Sequence, residues 1–119
     1  MKRVLVVYAH PEPRSLNGAL LRSACNALAG AGHTVEVSDL YAMRWKPVGD
    51  ADDFPTRDRA ERLRYGTDSR AAFDAGTIAP DIAAEHAKLR AADAVVFQFP
   101  LWWFGLPAIL KGWVDRVLC

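Results

Sequence analysis

Six apolar residues in succession, Val4-Leu5-Val6-Val7-Tyr8-Ala9, end at His10-Pro11. A run with no polar alternate has no face to offer water, and its β-branched content favours a strand covered on both sides. Such a strand belongs in a parallel sheet with helices on either face. The rest of the chain supplies the pieces. Apolar residues at 16, 20, 21, 24, 27 and 28 predict a helix from Ser15 to Leu28, with Ser15 as N-cap and Gly30 and Gly32 as the stop. Thr34–Ser38 reads as a second short strand. Ile78–Ala92 returns to helix, with Pro80 near its first turn and Asp81 favourable to the dipole there. Ala94–Phe99 is a third apolar strand, and Pro107 opens a last helix, Ala108 to Leu118.

Strand-helix alternation predicts an α/β domain with a doubly wound parallel sheet. Right-handed crossovers restrict its topology, and placing the second and third strands on opposite sides of the first gives the order 2-1-3. Ligands in such sheets bind outside the carboxyl ends of the strands, where the winding reverses. Residues 44–74 interrupt the pattern: they hold fourteen of the 29 charged side chains, two prolines and two glycines. Counted from Tyr41, the segment reads as a loop of over thirty residues with little periodicity, a functional excursion or partly disordered. The whole is one domain, 1–119, with a charged insert at about 44–76.

Two loops meet at the expected switch point. His10–Asn17 joins a buried strand to a helix entrance, where free N–H groups and the dipole favour an anion. His10, Arg14, Ser15 and Asn17 add polar groups, and no glycine-rich cradle is present. The same residues also suit a plain helix cap and strand end. Phe99–Pro107 sets three consecutive aromatics, Trp102, Trp103 and Phe104, between two prolines, with Gly105 permitting a tight turn. A flat heteroaromatic ring would stack there; filling a core or a subunit interface is the alternative.

A net charge of +1 offers no case for nucleic acid or an anionic membrane surface, and no apolar stretch is long enough to span a bilayer. Two cysteines make no disulfide framework, which suggests a reducing cytoplasm; Cys25 reads as a small core residue. His33 reads as solvent-facing and His86 as packing or capping, so no metal site is expected. A Ser15–His10–Asp39 hydrolase triad is disfavoured, because no nucleophile elbow is present.

Asp39-Leu40-Tyr41-Ala42-Met43, the serine-bearing His10–Asn17 loop, Pro80-Asp81-Ile82 and the long stretch Gln98–Trp113 together resemble the NAD(P)H dehydrogenase (quinone) family of DT-diaphorase-like proteins. The resemblance covers essentially the whole chain, with Arg64-Tyr65 and Phe73 of the insert on family positions. It implies a flavodoxin-like fold, FAD (or FMN) as cofactor, NAD(P)H as co-substrate, and a homodimer. It also implies two-electron hydride transfer to a quinone in ping-pong order. By resemblance, His10, Ser15, Leu16, Asn17 and Ala19 lie on the phosphate side of the flavin. Pro100, Leu101, Trp102, Trp103 and Phe104 lie along the isoalloxazine. Trp103 and Phe104 are the expected catalytic-pocket residues, Arg64 meets the flavin of the partner subunit, and Asp115 lies near that interface. Trp102 stands where close relatives often carry a polar amide, and Arg64 replaces a neutral amide of the best-known relative.

A five-stranded flavodoxin fold needs two more strands and two more helices than these residues provide. The chain is therefore expected to be a fragment or a truncated product, with weak flavin binding and little turnover alone, and its third strand an exposed apolar edge. Rival functions are a one-electron carrier, an ancillary flavoprotein subunit of a potassium-efflux system, or an inactive fragment. Carriers of the first kind tend to be strongly acidic, which this chain is not.

Overall fold

A computed structural model describes all residues, 1–119. Its three strands are β1 (Arg3–Tyr8), β2 (Thr34–Asp39) and β3 (Ala94–Gln98). They form one parallel sheet in the order β2-β1-β3, the order expected when the second and third strands flank the first. Val6 lies opposite Val37 on one side and Val96 on the other, so the apolar run sits at the sheet centre. The helices are α1 (Leu16–Gly30), α2 (Tyr65–Ala75), α3 (Pro80–Ala91) and α4 (Ala108–Val117). Helix and strand ends differ from the sequence reading by one or two residues, within ordinary fraying.

β1 is covered on both faces. Leu5, Val7 and Ala9 pack with Leu40, Ile82, Leu110 and Trp113 in the larger core. Val4, Val6 and Tyr8 face the other way, onto Leu21 and Leu28 of α1 and Val35 and Val37 of β2. Each fully buried aliphatic side chain contributes about 1.5–3 kcal/mol. The outer edge of β3 is bare: Val95, Val96 and Phe97 are 38, 38 and 42% exposed. That is the apolar edge expected of a sheet that stops at three strands.

The insert departs from expectation. It is not a structureless loop: a 3₁₀ turn at Ala51–Asp53 and the eleven-residue α2 lie within it. α2 escapes periodicity because it buries only Ser69 and Ala72, and Arg64 caps it without a side-chain bond. Its order comes from tertiary contacts. Trp45 and Phe54 are buried, and Pro47 crosses α4 so closely that a Cβ on Gly112 would lie 2.1 Å from the Pro47 carbonyl oxygen. Cys25 also differs: it is half-buried on α1, not a core residue. His33 is half-buried, its Nδ1 accepting from the Lys2 amide at 3.0 Å, because the β2 entrance lies beside the start of β1. His86 meets the Val117 carbonyl at 2.8 Å and the edge of Phe73, a packing and capping role. No helix is long and apolar enough to cross a membrane.

Candidate functional site

The two loops converge at the carboxyl ends of β1 and β3. β1 pairs with β3 through Tyr8 opposite Gln98, and the Ala9 amide donates to the Gln98 carbonyl at 3.0 Å. The side-chain amide of the same Gln98 donates to Asn17 Oδ1 at 2.8 Å, tying the first turn of α1 to the end of β3. The His10 ring stands edge-on to Trp102 at 6.1 Å. His10, Asn17, Gln98 and Trp102 therefore span the switch point. Gln98 is the member that residue-type reasoning passes over: it lies inside an apolar strand, and only the parallel register aims it at Asn17.

The first loop is built to open α1 cleanly. His10 Nδ1 accepts from the Glu12 amide, which requires the neutral ring's proton on Nε2. Glu12 Oε1 accepts from the Arg14 amide and from Arg14 Nε at 2.7 Å, and these bonds hold its carboxyl below the usual range. Ser15 is the N-cap as expected, its Oγ accepting from the Gly18 amide at 3.1 Å. The Ala19 amide turns back to the Ser15 carbonyl. The amides of Leu16 and Asn17 have no acceptor in the chain and lie at the positive end of the helix dipole. Gly18 allows this turn. A Cβ there would sit 2.1 Å from the Pro13 carbonyl oxygen, which Arg22 also binds. Leu16 and Ala19 are exposed beside these amides.

The second loop displays its aromatics. Trp102 and Gly105 exchange both backbone hydrogen bonds, at 3.2 and 3.1 Å, closing a two-residue turn. Trp103 and Phe104 occupy its centre with φ of 51° and 62°, the mirror-image turn geometry that ordinarily selects Asn-Gly. They are 94% and 93% exposed. Pro100 is half-buried, Leu101 and Trp102 are exposed, and Pro107 is buried where α4 begins. Within this chain the aromatics form an open platform.

Arg64 is not brought to this platform. It lies at the entrance of α2, exposed, with its amide donating to Asp68 Oδ2 and its guanidinium in no ion pair. Asp115 is on α4, paired with Lys111 at 2.6 Å. The triad geometry is absent, since Ser15 Oγ faces Gly18, His10 faces Glu12 and Asp39 caps the Ala42 amide. No group of acidic, histidine or cysteine side chains forms a metal site.

A family model described as flavodoxin-like fold matches residues 2–119. The chain is 55% identical over 115 residues to the ribosyldihydronicotinamide dehydrogenase-like protein traD of Penicillium crustosum, covering 97% of this chain and 43% of that protein. It is 51% identical over 119 residues to the human ribosyldihydronicotinamide dehydrogenase [quinone], covering 99% of this chain and 52% of that protein. A Klebsiella pneumoniae protein whose structure carries a provisional quinone reductase assignment superposes with a TM-score of 0.94 at 59% identity, over 98% of this chain and 45% of that one. The chain thus spans about half the length of the curated relatives it matches.

Proposed function

The chain belongs to the flavodoxin-like fold family, and from that premise we propose that it forms the flavin-gripping half of a two-electron NAD(P)H:quinone oxidoreductase. The observation that carries this reading is the convergence of the α1 entrance and the tryptophan turn, held together by the Gln98–Asn17 bond. The residues fit a flavin on two counts. Leu16 and Asn17 present unpartnered amides at a helix entrance that only glycine at position 18 permits, which suits a phosphate group. The turn at Trp103-Phe104 offers flat apolar faces to a ring and backbone groups to its polar rim.

In this reading His10, Ser15, Leu16, Asn17 and Ala19 hold the phosphate side. Pro100, Leu101, Trp102, Trp103 and Phe104 line the ring, with Trp103 and Phe104 walling the pocket shared by nicotinamide and quinone. Arg64 reaches the flavin of a second copy, so the active protein is a homodimer. A flavin bound there would supply the two-electron hydride chemistry between NAD(P)H and a quinone, in ping-pong order, while the residues named above would hold its phosphate and its ring. The chain's own work is to place the partners within near-attack distance, exclude water from the stack and offer N–H donors to developing negative charge. Its free cysteines suit a reducing cytoplasm.

The test is reconstitution of the complete gene product with FAD and with FMN, followed by quinone reduction with NADH and with NADPH. Stoichiometric flavin and saturable turnover without a long-lived semiquinone are expected. A flavin-free protein, or one that accumulates semiquinone and leaves quinones unreduced, overturns the reading.

A further inference from the structure

The bond that joins the two loops has a direction. Gln98 Nε2 donates at 2.8 Å and Asn17 Oδ1 accepts. A carboxamide carries its acceptor oxygen and its donor nitrogen on opposite limbs of one flat group. With its oxygen held by Gln98, Asn17 has only N–H groups left to offer. These are the pair on Nδ2 and its main-chain amide, and none of them meets an acceptor within the chain.

The surroundings repeat the pattern. The Leu16 amide is unpartnered beside it. His10 Nδ1 accepts from the Glu12 amide, so the neutral ring keeps its proton on Nε2. The first turn of α1 has no acidic residue to meet the helix dipole, and the loop's one carboxylate, Glu12, is committed to Arg14. The entrance offers an anion donors alone. A plain tie between the loops would not need this arrangement. Glu at position 98 has nearly the shape of Gln, but a carboxylate only accepts. Asn17 would then turn Nδ2 toward β3 and leave Oδ1 at the helix entrance, acceptor against acceptor for a phosphate.

We infer that Gln98 is a positioning residue: by donating to Oδ1 it holds Asn17 with its N–H end free, so that Nδ2 joins the Leu16 and Asn17 amides in binding the phosphate of a flavin. The inference rests on the phosphate reading of the α1 entrance given under Proposed function. It adds a residue from β3 that acts through Asn17.

The experiment compares FMN with riboflavin, which lacks the phosphate, on the complete gene product. Dissociation constants from flavin fluorescence are measured for the parent, Gln98→Glu, Gln98→Met, Asn17→Ala and the variant carrying both Gln98→Glu and Asn17→Ala. Gln98→Glu is expected to weaken FMN roughly tenfold or more, the worth of a hydrogen bond to a charged group, and riboflavin less than about twofold. Gln98→Met leaves Asn17 free to take either orientation, which halves the competent population and weakens FMN about twofold. In the Asn17→Ala background Gln98→Glu is expected to matter less than about threefold, since coupled residues are non-additive. Equal losses of FMN and riboflavin would reduce Gln98 to a structural tie. An undiminished loss in the Asn17→Ala background would mean charge repulsion alone. Gln98→Met as damaging as Gln98→Glu, or Gln98→Glu as tight for FMN as the parent, would make the direction of the bond irrelevant. Each of these overturns the inference and leaves the reading of the two loops standing. A parent that binds riboflavin as tightly as FMN, or binds neither, brings down the phosphate reading first and this inference with it.

Discussion

Replacing Trp103-Phe104 by Asn-Gly is expected to make the protein more stable while abolishing the quinone reduction proposed for it. Both residues lie in the left-handed region, at φ of 51° and 62°. That conformation costs an ordinary L-residue about 1–2 kcal/mol. Asn tolerates it better, which recovers roughly 1 kcal/mol at position 103. Gly recovers the full ~1–2 kcal/mol at position 104, less about 0.5–1 kcal/mol for the freedom it adds to the unfolded chain. The lost side chains are 94% and 93% exposed, so almost no packing is surrendered. The net gain is about 1.5 kcal/mol, or ~6 °C in Tm for a domain of this size. Thermal unfolding of the flavin-free protein, followed by far-UV circular dichroism, measures it, with quinone turnover assayed in parallel. An unchanged or lower Tm would refute the reasoning, since the aromatics would then be buried against something in the folded protein or the turn would not carry the strain. A stabilised variant with full turnover would instead remove these side chains from the site.

Other consequences follow from the packing of the insert. Asp53→Asn leaves Arg116 buried with a weakened partner and should cost about 3–5 kcal/mol, read from urea unfolding at neutral pH. Gly112→Ala pushes a methyl group against the Pro47 carbonyl, and should lower stability by roughly 1–3 kcal/mol or more, with increased proteolysis between residues 44 and 64. Burial alone would raise the Asp53 pKa, but its bonds from Arg116 and Tyr65 outweigh that and hold it below the ordinary value. The stability it contributes is therefore complete above about pH 4 and lost as pH falls through the depressed folded value. Burial and the bond to Asp53 raise Tyr65, so its contribution is complete below about pH 10 and lost on further alkalinisation. Denaturant midpoints against pH should show both limbs, and Tyr65→Phe should flatten the alkaline one. Ser15→Ala removes the α1 cap and should cost about 1 kcal/mol, together with flavin affinity.

Strand content, strand order and the position of the two loops were legible in the chain itself. A run such as Val4–Ala9 favours a strand covered on both faces, and right-handed crossovers with the other two strands on either side of it give the order observed. Ser15 was legible as a cap for the same reason: its partner, Gly18, is three residues away. What tertiary structure alone decided is the ordering of the insert and the join between the loops. α2 buries too little apolar surface to leave a periodic trace, and the anchor of the insert, Arg116 of α4 on Asp53 of the 3₁₀ turn, spans 63 residues. Gln98 finds Asn17 across 81 residues only because β1 and β3 are in register. Local physics is written at spacings of two to four residues. A buried polar network has no such period, because its members come from wherever the folded chain happens to pass.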